Sequence, residues 1–130
     1  MEAEIVKAAR GWVGTKFHHQ GRKKGVGVDC IGLIVGVVKE LGAEVADRVD
    51  YCRQPHNGEL EKALLGYLQP CEIKVGAIAL FRISREPQHV GIISNYGENF
   101  GLIHAYAQAR RVVEHNLDEW WKERLTGCFY

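Results

Sequence analysis

Eight consecutive residues, Ile31-Gly32-Leu33-Ile34-Val35-Gly36-Val37-Val38, are all apolar or glycine, and they begin directly after Asp29-Cys30. Asp29 is a good helix N-cap type and Gly42 follows the last apolar residue, Leu41, so the pattern predicts a helix from Cys30 to Leu41, bracketed at both ends. Its apolar residues cannot share one stripe. Such a helix must be buried all round, with Gly32 and Gly36 allowing a close neighbour, and the rest of the chain has to wrap it. The run is far shorter than the ~20 residues of a bilayer span, so no membrane span is expected.

Around this element the 130 residues provide for one domain, 1–130. Glu2 to Trp12 places Ile5, Ala8, Ala9, Trp12 and Val13 on one side at helical spacing, which predicts a first amphipathic helix ending at Gly14. Thr15 to Val28, rich in glycine and basic residues, has neither period and reads as a loop. A short helix is expected from Glu59 to Gly66. The pattern then changes to strands at Ala77 to Phe81, His89 to Ser94, Leu102 to Tyr106 and Arg111 to His115. Connectors at Ser84 to Pro87, Asn95 to Phe100 and Gln108 to Arg110 make this an antiparallel meander, followed by a last helix from Leu117 to Leu125. The fold class is α+β.

A formal charge of +1 gives no whole-chain footprint for nucleic acid. The N-terminus has an acidic start and no uninterrupted apolar core, so no signal peptide is expected. Cys30, Cys52, Cys71 and Cys128 include no close pair of the kind that zinc sites use, and no disulfide framework is expected in a chain of this kind. Cys52, Cys71 and Cys128 read as small packing residues. No metal or organic cofactor is required.

Cys30 is different because it stands at the positive end of the buried helix. That position, with an imidazolium nearby, lowers a thiol from a free value of about 8.5 and arms it as a nucleophile. His89 and His104 lie in strand-like surroundings downstream. On adjacent strands, His89 serves as the base and His104 orients its ring, the two facing each other across the ladder. The N–H of Cys30 supplies one oxyanion donor, with a second from the loop before it. His18, His19, His56 and His115 read as surface residues, and Arg22, Lys23 and Lys24 read as a solvated loop surface before a carboxylate-binding one.

Taken together, Gly14-Thr15-Lys16-Phe17, the loop ending in Asp29-Cys30-Ile31-Gly32-Leu33, His89-Val90-Gly91-Ile92 and Leu102-Ile103-His104-Ala105 resemble the NlpC-type cell-wall cysteine peptidases over nearly the whole chain. The resemblance implies a papain-like fold, with the nucleophile helix packed on an antiparallel sheet. It implies Cys30 as nucleophile, His89 as base and His104 as orienting residue, in a cysteine endopeptidase that hydrolyses peptidoglycan stem peptides, often between D-glutamate and a diamino acid. The stretch Phe17 to Arg22 is most similar to the branch carried by tailed phages, prophages and gene-transfer agents, which implies phage tail proteins as partners and delivery to the cell wall from the cytoplasm as part of a virion. Two positions depart from the pattern. Phe17 replaces a tyrosine whose hydroxyl lies near the nucleophile, leaving His18, His19 or Gln20 to substitute, and Ala77 replaces an aspartate after Gly76. Phe17, His18, His19, Gln20 and Asp29 are the expected substrate-binding positions. Two other readings stand beside this one: an amidase or acyltransferase with the same three residues, and a structural tail-tip subunit with Trp120, Trp121, Phe129 and Tyr130 as a docking surface, although core packing of these aromatics is the stronger expectation.

Overall fold

The structure is a computed structural model and describes residues 2–43, 66–83 and 87–130. The first helix, α1 (Glu2–Arg10), buries Val6 and Ala9. It stops at Arg10, short of the expected end at Gly14, and a turn then carries Trp12 into the core while Val13 swings outward, 46% exposed. Val13 leaves the expected stripe because the 100° step per residue ends with the helix.

Residues 15–28, expected as a loop, contain a two-stranded antiparallel hairpin, β1 (Arg22–Lys23) and β2 (Gly27–Val28). Strands this short carry no readable alternation. β2 delivers the chain into α2 (Cys30–Glu40), whose caps are those its residues dictate but which is not buried all round: Leu33, Val35 and Val37 are buried, Ile31, Ile34 and Val38 only half-buried, and Leu41 is exposed. Asp29 is extended, and its Oδ1 accepts from the Gly32 N–H at 2.8 Å, satisfying one amide of the open first turn. Leu41 is the C-cap and Gly42 follows with φ +86°, the left-handed stop that favours glycine. Gly36 is where a neighbour comes close: a Cβ there would stand 2.2 Å from the Trp12 ring. The Trp12 indole N–H also donates to Glu40, tying the turn after α1 to the end of α2.

The remaining strands are β3 (Pro70–Cys71), β4 (Ile78–Arg82), β5 (Pro87–Tyr96), β6 (Asn99–Tyr106), β7 (Arg111–Asn116) and, after the helix α3 (Glu119–Arg124), β8 (Leu125–Phe129). They form one antiparallel sheet in the order β3-β8-β4-β5-β6-β7. The expected meander is β4 to β7. Its Asn95 to Phe100 connector is tighter than expected, because β5 and β6 run on to a turn at Gly97-Glu98. β8 occupies residues with no strand expectation and returns to pair with the outer edge of β4. The last helix also closes one residue earlier than Leu125, which is already strand. The expected helix at Glu59 to Gly66 lies, up to residue 65, outside the described residues, as do Cys52, His56 and most of the Ser84 to Pro87 connector.

Alternation sorts the sheet into two faces. Val90, Ile92, Ile103, Ala105 and Val112 look toward α1 and α2, with Val28, Leu33 and Val37 between them. Phe81, Ile93, Leu102, Leu117 and Trp121 form a second core on the opposite face, beneath α3. Burial of each large side chain stabilises the fold by about 1.5–3 kcal/mol. Arg10 fixes α1 to the sheet through Glu114 at 3.0 Å and the Asn95 carbonyl at 2.7 Å. Among the described residues no helix is long and apolar enough to cross a membrane.

Candidate active site

The β5–β6 ladder runs from Tyr96↔Asn99 to Ile92↔Ile103 and goes no further, although both strands continue. Beyond that point the strands part. On the other side β5 stays paired with β4 through Leu80↔Val90 and Phe81↔His89. The Ile93 N–H donates to the Ala77 carbonyl, and alternation from there makes Leu80↔Val90 a pair without mutual hydrogen bonds. The Val90 N–H therefore points away from β4, into the opening between β5 and β6. The Cys30 thiol sits against this N–H, at the level of the sheet. α2 thus brings the sulfur to the backbone of the residue next to His89.

The amides of Cys30 and Ile31 also face the sulfur. They are the first two of α2, and the cap has left them uncommitted by taking Gly32. A carbonyl attacked by Cys30 would develop its negative charge beside these donors. The amide that faces the sulfur beside that of Cys30 is Ile31's, in the helix. In the preceding loop, where a second donor was expected, the amides of Gln20 and Gly21 donate to Asp29 Oδ2 and the His18 carbonyl.

His89 and His104 project from the face opposite α2, and their rings meet: His89 Nε2 and His104 Nδ1 are 2.7 Å apart. The contact is diagonal across the opened end of the ladder. The position opposite His104 falls to Gly91, where a Cβ would lie 2.6 Å from Leu102 Cδ1 and 3.0 Å from His104 Cβ. An alanine there would crowd the strand that holds His104.

Sequence reasoning missed the next partner. His115, read as a surface residue, sits diagonally from His104 on β7, and the two Nε2 atoms are 2.8 Å apart. His115 Nδ1 lies 2.8 Å from the carbonyl of Asn116. Histidine at a strand end gives no sequence signal of such a partner, because the diagonal depends on register. The ring nitrogens meet in successive pairs along the row, so no set of lone pairs converges on a point. Among the described residues no group of three or more side chains is placed to hold a metal ion.

Trp121 covers the row, with its ring centre 5.5 Å from that of His89, 4.8 Å from His104 and 6.1 Å from His115. Tyr106 stacks on His104 at 5.1 Å. Trp121 and Phe129 are 5% and 4% exposed, which removes them from the docking surface considered from sequence; Trp120 stays exposed.

The electrostatics correct one expectation. The thiol is not armed at rest: burial pushes Cys30 up to about 12, reinforced by the Asp29 carboxylate and only partly opposed by the amides of Val90, Ile31 and Cys30. Burial also pushes His89 down to about 4 and His104 to about 2, the latter with help from its two imidazole neighbours. At neutral pH both groups rest uncharged, because desolvation outweighs the helix terminus.

The other expected site residues line the approach to α2. Phe17 bridges to Val28 and packs half-buried against the core, and the His18 N–H donates to the Val28 carbonyl. His18 Nδ1 meets the His19 carbonyl at 2.9 Å. Gln20 has φ +61° and donates its N–H to Asp29 Oδ2 at 2.8 Å. Asp29 is 4% exposed and holds Arg22 at 3.1 Å, so its carboxylate fastens the loop to the helix. Lys24 pairs with Glu40 at 3.1 Å, while Lys23 is exposed. Cys71 and Cys128 stand opposite one another across β3 and β8 as free thiols.

No protein-family model matches the chain, and no curated protein matches it. Solved structures do. The NlpC/p60 domain of peptidoglycan hydrolase SagA matches with a TM-score of 0.69 at 20% identity, over 100% of this chain and 98% of that one. An NlpC/P60 family protein from Bacillus cereus ATCC 10987 matches with a TM-score of 0.73 at 16% identity, over 98% of this chain. A protein described as similar to lipoprotein, of the NLP/P60 family, from Staphylococcus aureus subsp. aureus Mu50 matches with a TM-score of 0.69 at 19% identity, also over 98%. The chain spans 39% and 40% of the length of these last two. It has the papain-like α+β fold of the NlpC/P60 domain.

Proposed function

We propose that this chain is a cysteine endopeptidase that hydrolyses peptide bonds in peptidoglycan stem peptides. The observation that carries the reading is the 2.7 Å bond between His89 Nε2 and His104 Nδ1, one residue from the amide that holds the Cys30 thiol. With Nε2 engaged by His104, Nδ1 is the ring nitrogen left to take a proton from Cys30. The thiol loses that proton as its sulfur attacks the substrate carbonyl, the amides of Cys30 and Ile31 receive the oxyanion, and His89 returns the proton to the departing amine. Water then enters by the same base and releases the acyl group. Neutral resting partners make this a general-base route, in which the proton moves when substrate is present.

The NlpC/P60 fold shared with a peptidoglycan hydrolase supports the substrate class. The sequence resemblance supports the finer choices: cleavage between D-glutamate and a diamino acid, and delivery to the wall with a phage tail. Phe17, His18, His19 and Gln20 run beside the strand that leads into Cys30, which supports a role for them in seating the stem peptide.

The test is digestion of purified peptidoglycan by the wild-type protein and by Cys30→Ser, with mass spectrometry of the released fragments. New D-glutamyl carboxyl ends from the wild type alone are expected. Identical profiles for the two proteins would overturn the reading, and a wild-type cut at another amide or ester would reassign it to an amidase or acyltransferase.

A further inference from the structure

We infer that His115 is a positioning residue that, anchored on the Asn116 carbonyl, sets the tautomer of His104 and through it that of His89. The inference rests on the proposed cysteine-peptidase reading for its consequence, but its structural content stands on three contacts. A carbonyl can only accept, so His115 Nδ1, 2.8 Å from the Asn116 carbonyl, must carry a proton. In the neutral ring this leaves Nε2 as a bare acceptor. His104 Nε2, 2.8 Å away, must then be the donor, which leaves His104 Nδ1 bare. His89 Nε2, 2.7 Å from that atom, donates in turn. The remaining lone pair of the row is therefore on His89 Nδ1, the nitrogen that a base toward Cys30 needs.

The same arrangement serves the charged intermediate. When His89 gains a proton at Nδ1, its Nε2–H still donates to His104 Nδ1, so no ring has to turn over. Without an acceptor at position 115, His104 has no reason to keep its proton on Nε2. It can then place the proton on Nδ1 and donate to His89, which puts the His89 proton on the wrong side. The sheet register makes the control possible: the three residues step diagonally across β5, β6 and β7 on the face sealed by Trp121.

Two variants separate positioning from structure. His115→Gln retains an oxygen able to accept from His104 and an amide able to donate to Asn116, whereas His115→Phe keeps a ring and removes both functions. Nitrogen-15 NMR of labelled histidines in the free protein is expected to show His104 protonated at Nε2 in the wild type and in His115→Gln, and a mixture in His115→Phe. On peptidoglycan, kcat is expected to fall at least ~10-fold in His115→Phe with KM unchanged, and to recover to within ~3-fold of wild type in His115→Gln. An unchanged His104 pattern in a folded His115→Phe would overturn the inference, and so would equal losses in both variants. A wild-type protein that leaves peptidoglycan intact would defeat the proposed activity, and the NMR comparison would still decide the role of His115.

Discussion

His104 lies diagonally from His89, ring nitrogen to ring nitrogen at 2.7 Å, because the residue between their lines of approach is Gly91. Gly91→Ala places a methyl 2.6 Å from Leu102 Cδ1 in a sealed layer and presses on the His104 Cβ. A stability loss of about 1–3 kcal/mol is expected in urea unfolding. Hydrolysis is expected to fall by at least ~10-fold at temperatures where the variant is fully folded, because sub-ångström displacement of the orienting ring disturbs the base. Unchanged kcat would show that the diagonal contact tolerates the shift.

Acid should weaken the fold before it titrates the carboxylates. His89 and His104 are neutral in the folded protein, pushed down by burial to about 4 and about 2, and in the unfolded chain they charge near the ordinary 6.5. Their contribution is fully present above pH 6.5 and is lost as pH falls through 4 and on toward 2. Between pH 7 and pH 5 each ring should cost about 2 kcal/mol of unfolding free energy. Urea denaturation at the two pH values measures the sum, and a flat profile would mean that the rings protonate without unfolding.

Asp29 acts on the Cys30 thiol in a direction opposite to the helix terminus. Its carboxylate adds to the burial that pushes Cys30 up to about 12, while its oxygens cap α2 and hold Arg22. Asp29→Asn keeps one oxygen for the cap and removes the charge, but its Nδ2 replaces the oxygen that accepts from Gln20 and the Arg22 pair loses its anion, so stability should fall by about 1–3 kcal/mol. The pH midpoint for iodoacetamide alkylation of Cys30 should move downward. A midpoint unmoved or raised would show that the carboxylate does not reach the sulfur.

Gly36→Ala provides a control far from the chemistry. The added methyl would overlap the Trp12 ring at 2.2 Å, pushing the turn after α1 away from α2. A loss of at least about 1–3 kcal/mol is expected from overpacking, with kcat per folded molecule retained. Calorimetry and activity on the same sample read both quantities.

The α2 helix was legible from its residues because cap, apolar run and terminal glycine agree at every level. The four meander strands were legible for the same reason: alternation and turn residues mark them locally. β1, β2, β3 and β8 were not, because strands of two residues have no period and because Leu125–Phe129 becomes a strand only through the open edge of β4. The same divide runs through the site. Cys30, His89 and His104 stand out as residue types in local contexts, whereas His115 gains its partner from register and Gly91 its importance from the space it leaves.

The amino-acid order alone determined the α+β class, the apolar helix and the cysteine at its start, since these follow from period, capping and polarity within a few neighbouring residues. Tertiary structure decided the charge state of the site and the direction of its hydrogen bonds. His89 rests neutral because packing removes water from it, the half-buried Cys30 thiol is held up by desolvation and by the Asp29 carboxylate, and the imidazoles form a row because three strands pair in one register and one strand pair opens. Desolvation and register are properties of residues distant in the chain, and no local pattern encodes them.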